Sequence, residues 1–267
     1  SKQYEKSIDV CDAIIREDDQ YFPAYLTRQE ACYHLRKAQQ VIDDYYKAIG
    51  IYPRYYKPYL LAAKVFFFHD QYEDAKGVIE RAKENQVEFS PELKLYQVKI
   101  LRNLAESQAE RDIPRKILEE IKGELGQDDC DIEDVSEVNY EAGLLWWDDN
   151  EYEKALEFLG LAIGENQERL QYRLIRGDVY LEMKRYKDAL LEYDAAEPEY
   201  GSRPGIHYAR GLCQEGLNAM EKAVEHFKKV VELQNGYKDA NEKLSDYYKD
   251  RYEDFGRKED YERALYY

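Results

Sequence analysis

Gly143, Gly177 and Gly211 stand 34 residues apart, and four further columns keep the same step. Ala155, Ala189 and Ala223 follow each glycine by twelve residues. Tyr152, Tyr186 and Met220 form a column between glycine and alanine. Leu159, Tyr193 and Phe227 come four residues past each alanine, and Ala162, Ala196 and Val230 three further on. A chain with such a period folds as repeated supersecondary units, each covering the apolar side its neighbour leaves open. The helical periodicity inside one unit is direct: Tyr186, Ala189, Leu190 and Tyr193 recur at i, i+3, i+4 and i+7, one face of a helix. Leu174, Gly177, Val179, Tyr180 and Leu181 carry the helix before it, with a turn near Arg185. Gly177 costs its helix about 1 kcal/mol against alanine, so close packing must return that energy. Pro198 is expected to stop the second helix.

The period and its order of residue types resemble the tetratricopeptide repeat: a small residue and an aromatic in helix A, then Ala, a large apolar and a small residue in helix B. The resemblance implies an all-α right-handed superhelical solenoid of antiparallel helix pairs. The expected divisions of a single array over 1–267 are a partial repeat at 1–21, then repeats at 22–55, 56–89, an irregular 90–135, 136–169, 170–203 and 204–236, then 237–267. The chain opens on a helix B (Tyr4, Ser7, Cys11, Ile14) and closes on a lengthened helix A followed by the start of a helix B at Tyr261 and Ala264. It therefore reads as a piece of a longer protein. In the irregular repeat, helix A is expected from about Pro91 to Gln108, and Asp112-Ile113-Pro114 as an N-cap and first-turn proline. Helix B would then carry Ile117, Leu118, Ile121 and Leu125, with an insertion of about one turn.

Composition narrows the function classes. A net charge of −17 opposes phosphate backbones, which need clustered Lys and Arg, and opposes anionic membrane surfaces. Neither nucleic acid nor membrane is therefore an expected partner. No apolar run has transmembrane length. Cys11, Cys32, Cys130 and Cys213 show no metal-ligand spacing, which favours reduced thiols and a cytoplasmic protein. The four histidines fall in different repeats, and no HExxH, GxSxG, Walker loop or GxGxxG occurs. No cofactor, metal or catalytic residue is expected. The acidic run at 127–134 fails as a calcium loop: counted from Asp129, the sixth position is Asp134 where Gly is required, and the twelfth is Tyr140 where Glu is required.

The resemblance implies that the A helices line a concave groove taking a peptide or partner helix. Its columns fall on Tyr33, Lys57, Leu60, Lys64, Phe67, Phe68, Arg102, Tyr140, Leu144, Trp147, Asp178, Tyr208 and Leu212. Trp146, one column round, is expected to be buried, and Trp147 to anchor an apolar side chain. Lys64 and Arg102 would supply basic groups towards the N-terminal end. The carboxylate clamp of chaperone-binding relatives is absent: Leu26, Glu30, Leu61, Pro91 and Leu95 occupy its positions. The expected function is a protein–protein interaction scaffold or adaptor. Self-association and a segment of a J-domain-type co-chaperone are the alternatives, although no His-Pro-Asp motif is present.

Overall fold

The structure is a computed structural model that describes residues 2–125, 132 and 134–267. The acidic run at 127–134 lies almost wholly outside these residues. The described residues form fifteen α-helices and no strand. They fall into two compact units, Ser1–Glu141 and Ala142–Tyr267. The first holds α1 (Lys2–Glu17), α2 (Phe22–His34), α3 (Ala38–Ile51), α4 (Tyr56–Phe68), α5 (Tyr72–Glu84), α6 (Pro91–Leu104), α7 (Gln108–Glu124) and the start of α8 (Ser136–Asp148). The second holds the rest of α8, then α9 (Tyr152–Glu165), α10 (Leu170–Glu182), α11 (Tyr186–Tyr200), α12 (Pro204–Gly216), α13 (Met220–Leu233), α14 (Lys238–Phe255) and α15 (Lys258–Tyr266). Each unit is a stack of antiparallel helix pairs, and the fold is an all-α, TPR-like solenoid.

The periodic columns are the crossing points of these pairs. Ala155, Ala189 and Ala223 are fully buried. The glycines opposite them have no room for a side chain: a Cβ on Gly177 would lie 2.8 Å from Cε1 of Tyr193, and one on Gly143 2.8 Å from Cγ of Leu159. Large residues on helix B thus rest on helix A backbone. Elsewhere the same column holds Gln29, Ala63 and Gln97, and Ser245, whose hydroxyl donates to the carbonyl of Ala264 at 3.0 Å.

One turn closes most pairs. Arg36, Asp70, Asn150, Lys184 and Asn218 all adopt positive φ, 57–60°, and all recur at the A-to-B junction. The next amide bonds back five residues, as from Arg185 N to Tyr180 O at 2.8 Å and from Gln71 N to Phe66 O at 2.9 Å. This 6→1 bond satisfies a helix-end carbonyl, as in a Schellman closure. No glycine is used, although a Cβ in the left-handed region costs about 1–2 kcal/mol. Lys184→Gly is therefore expected to raise stability by about 0.5–1 kcal/mol, read as a higher denaturation midpoint at unchanged slope. A lower midpoint would contradict the turn assignment.

The irregular repeat departs from expectation. Helix α6 stops at Leu104, and α7 begins immediately after Ser107, not at Pro114. Ser107 and Glu110 form a reciprocal capping box, which satisfies two end amides. Pro114 lies inside a continuous helix, where its missing N–H and ring cost about 3 kcal/mol. It is nevertheless buried, with Leu118 and Ile121, in the spacing that Ala75, Ile79 and Ala82 have in α5. Proline thus fills the small-residue column, 39 residues after Ala75 instead of 34. The five extra residues lengthen the two helices, and no left-handed residue lies in the connection between them. Pro198 also fails to stop its helix, because α11 continues to Tyr200. So close to a helix end, proline forfeits a single bond.

Candidate functional site

Helix A side chains in the N-terminal unit interleave rings and cations. Lys64 Nζ lies 5.7 Å from the Tyr33 ring centroid and 5.3 Å from that of Tyr96, and Lys99 Nζ lies 4.8 Å from Tyr96. Phe67 meets Tyr72, Tyr96 and Phe68 edge-on at 5.5, 5.9 and 6.0 Å. Phe68 remains 61% exposed. Burial pushes the Tyr96 hydroxyl far above its usual range, and the nearby Tyr33 adds to the shift.

The basic groups assigned to the groove are not free. Lys64 is paired with Glu92 at 2.5 Å, Lys57 with Glu30 at 3.5 Å, and Arg102 with Glu141 at 3.0 Å. Lys99 joins Glu137 at 2.6 Å, and Lys243 joins Glu215 at 2.7 Å. Each pair ties one A helix to the next. Expecting Lys64 and Arg102 to present positive charge to a partner is therefore corrected: both are neutralised in place, and Arg102 faces a buried Glu141. The signal was available, since Lys57, Lys64 and Lys243 each stand 27 or 28 residues from their glutamate, but charges in an acidic chain are ambiguous until paired.

Leu60 and Leu144 are likewise corrected. They are 5% and 7% exposed, leaving almost no side chain for a ligand, and Leu60 packs in the core of its unit. Tyr33, Phe67 and Tyr140 are half-buried. In the C-terminal unit, Tyr208 is half-buried with its ring centroid 5.7 Å from Phe227 and 5.4 Å from Tyr237, and Leu212 packs against that same core. Trp146 is half-buried, not buried. It sits at the A-to-B turn, where Lys154 Nζ caps its ring at 4.2 Å, much as Arg185 caps Tyr180 at 4.6 Å. Trp147 is also half-buried, and its Nε1 donates to Glu182 Oε2 at 2.8 Å.

Asp178 stands one turn before Glu182 on α10 and accepts the Tyr193 hydroxyl at 2.7 Å. Burial pushes its carboxyl up to about 6; the Tyr193 bond opposes this and the Glu182 charge adds to it. A carboxyl raised in the folded state holds its proton where the unfolded chain has released it. Stability from this group is thus full below pH ~4 and is lost as pH rises through about 6. Asp178→Asn keeps an acceptor for Tyr193 and removes the buried charge. It is expected to stabilise the protein by about 1–3 kcal/mol above neutrality and to have little effect near pH 4. Equal effects at both pH values would contradict the assignment.

A second set of contacts was not anticipated from sequence. Arg28 on α2 holds Asp12 of α1 at 2.5 Å and Asp44 of α3 at 2.5 Å. The equivalent Arg176 reaches Glu192 at 2.5 Å, and Arg210 reaches Asp194 at 2.7 Å and Glu197 at 3.2 Å. An arginine column on helix A thus fastens neighbouring B helices. Arg176 and Arg210 are one period apart, but the interrupting insertion hides their register with Arg28.

The described residues contain no group of three or more metal-ligating side chains. No protein-family model matches the sequence, and no curated protein matches it. Solved structures do match. A chain of the Cut9–Hcn1 hetero-tetramer of APC/C aligns over 90% of this chain and 45% of its own, at 12% identity and a TM-score of 0.71. Human IFIT1, solved as a dimer with PPP-AAAA, aligns over 95% of this chain and 61% of its own, at 14% identity and a TM-score of 0.64. The MamA RS-1 ArsTM double mutant covers 64% of this chain and 93% of its own, at 17% identity and 0.52. The chain therefore spans about half the length, 45%, of the Cut9–Hcn1 chain it matches. Similarity at these identities is similarity of fold.

Proposed function

We propose that the chain is a protein-interaction segment, a scaffold or adaptor that takes a peptide or partner helix on its helix A surfaces. The observation that carries this is the aromatic edge of α4: Phe68 is 61% exposed beside half-buried Phe67 and Tyr33. Large exposed rings supported by packed neighbours are what interface anchors are made of. Trp147, Asp178, Tyr208 and Leu212 form the corresponding candidates in the C-terminal unit, and Tyr140 one in the N-terminal unit. The PPP-AAAA ligand of human IFIT1 is not carried over, because a net charge of −17 repels phosphate. The role is binding, not catalysis, and the reduced buried thiols fit a cytoplasmic protein. Self-association is the second reading, favoured by exposed Phe255, Leu265 and Tyr266.

The test is a binary complex rebuilt from purified components, using a partner captured by crosslinking in cells. Phe68→Ala or Trp147→Ala is expected to weaken that complex at least about tenfold, near 1.4 kcal/mol, without lowering the melting temperature. Unchanged affinity in both variants would remove the helix A surfaces as the binding site. Light scattering over a concentration series separates a monomeric adaptor from a self-associating one.

A further inference from the structure

A recess in the N-terminal unit lies not on the wall of A helices but at its edge, where the A-to-B turns emerge. It is a cleft of about 570 Å³ between the α2–α3 turn and the C-terminal end of α4. Val41 and Val65 lie beneath it, covered in one core cluster, so they support the cleft from below. The exposed ring of Phe68 forms one side.

The rim is basic. Arg36 and Lys37 line it, with His34 and His69. No carboxylate is among its lining residues, in a chain with 56 acidic and 39 basic side chains. Every other basic group assigned to the N-terminal wall is held by a glutamate. Arg36 and Lys37, both exposed, take part in no ion pair among the described residues. Asp70, next to His69 in the α4–α5 turn, accepts the Tyr72 hydroxyl at 2.8 Å. The left-handed conformation of Arg36 and the back-bond from Lys37 N to Cys32 O at 2.9 Å fix the backbone that presents both side chains. The cationic edge is thus built on a rigid turn.

We infer that this cleft is a docking site for an acidic protein segment, one that places a bulky apolar side chain against the exposed ring of Phe68 and a carboxylate against Arg36 and Lys37. The inference rests on the interaction function proposed above and adds the location and chemistry of the partner. Charge complementarity selects the occupant. A neutral apolar segment leaves two cations uncompensated at the rim, and a basic one meets like charge, which costs affinity and slows encounter. An extended nucleic acid gains the same two contacts but lies against an otherwise acidic surface.

Selection from a random peptide library displayed on phage, with the purified 267-residue chain as bait, tests this directly. Enriched peptides are expected to carry Asp or Glu within a few positions of Leu, Ile, Phe or Trp. A synthetic copy of the leading peptide should lose at least about tenfold in affinity against the Arg36→Glu/Lys37→Glu double variant. It should also weaken against Phe68→Ala and bind less tightly as salt is raised. An unchanged melting curve for the double variant shows that the fold is intact. Lys37→Glu alone, an acid placed at the start of α3, serves if the double variant melts early. Peptides without acidic residues, or acidic peptides indifferent to charge reversal, overturn the cleft while leaving the interaction function standing. So does tighter binding of a single-stranded RNA oligonucleotide that displaces the peptide, or a dimer that the charge reversal dissolves. Failure to enrich any peptide overturns both.

Discussion

Arg28→Met is expected to destabilise the protein by about 3–5 kcal/mol, because it strands a buried carboxylate. The Asp44 side chain is 1% exposed. It accepts two bonds from Arg28, Nε to Oδ2 at 3.0 Å and Nη2 to Oδ1 at 2.5 Å. Burial raises the Asp44 carboxyl even with Arg28 present, the arginine opposing that shift. Without the arginine, only Gln40, 3.2 Å away, still donates to it. The deficit should therefore shrink on acidification, as Asp44 takes up a proton. Removing both partners, Arg28→Met with Asp44→Leu, should recover most of the loss, since replacing an ion pair by packed apolar groups is often neutral. Arg210→Met should cost far less, because Asp194 and Glu197 are 64% and 58% exposed and water compensates them. Urea denaturation of the three variants decides the point. Similar costs for Arg28 and Arg210 would mean that the α2–α3 contact is not a buried ion pair.

Phe227→Ala is expected to cost about 3–5 kcal/mol, and its coupling to Gly211 is the more informative part. The ring is 1% exposed and covers Gly211 so closely that a Cβ there would overlap Cε1 and lie 2.7 Å from Cδ1. Gly211→Ala alone should destabilise, in spite of the better helix propensity of alanine. In the Phe227→Ala background the obstruction is gone, and Gly211→Ala should stabilise by up to about 1 kcal/mol. Such a change of sign is the signature of direct contact in a double-mutant cycle. Additive effects would break the alignment of helix A with helix B on which the repeat register depends.

The fold was legible in the sequence because helix crossings impose a size rule on single positions. Gly177 under Tyr193, Gly211 under Phe227 and fully buried Ala189 are constraints that composition records residue by residue. The lengthened penultimate helix was legible too, with Gly256 at a left-handed cap and α15 carrying Ala264. The irregular repeat was misread at Pro114 because propensity favours a helix start there, whereas packing needed a small ring in the crossing column. Ser107 and Glu110 supplied the start three positions apart, a spacing that the sequence carries.

The candidate site was less legible. Periodicity places Lys64, Arg102, Leu60 and Leu144 on helix A columns, but says nothing of whether a neighbouring glutamate neutralises a cation or a neighbouring helix covers a leucine. Those outcomes depend on contacts about one repeat away. Conversely, Arg36 and Lys37 sit in a turn, outside every column, and only the folded chain brings them to Phe68 and His69.

Hydrogen exchange of the chain, free and in complex with its purified partner, tests the central claim most directly. A segment bound on the helix A surfaces and their turn edge should slow exchange in the peptides covering Tyr33–Lys37 and Phe67–His69, with the B helices unchanged. Protection confined to the B helices, with those two stretches exchanging as in the free protein, would contradict it.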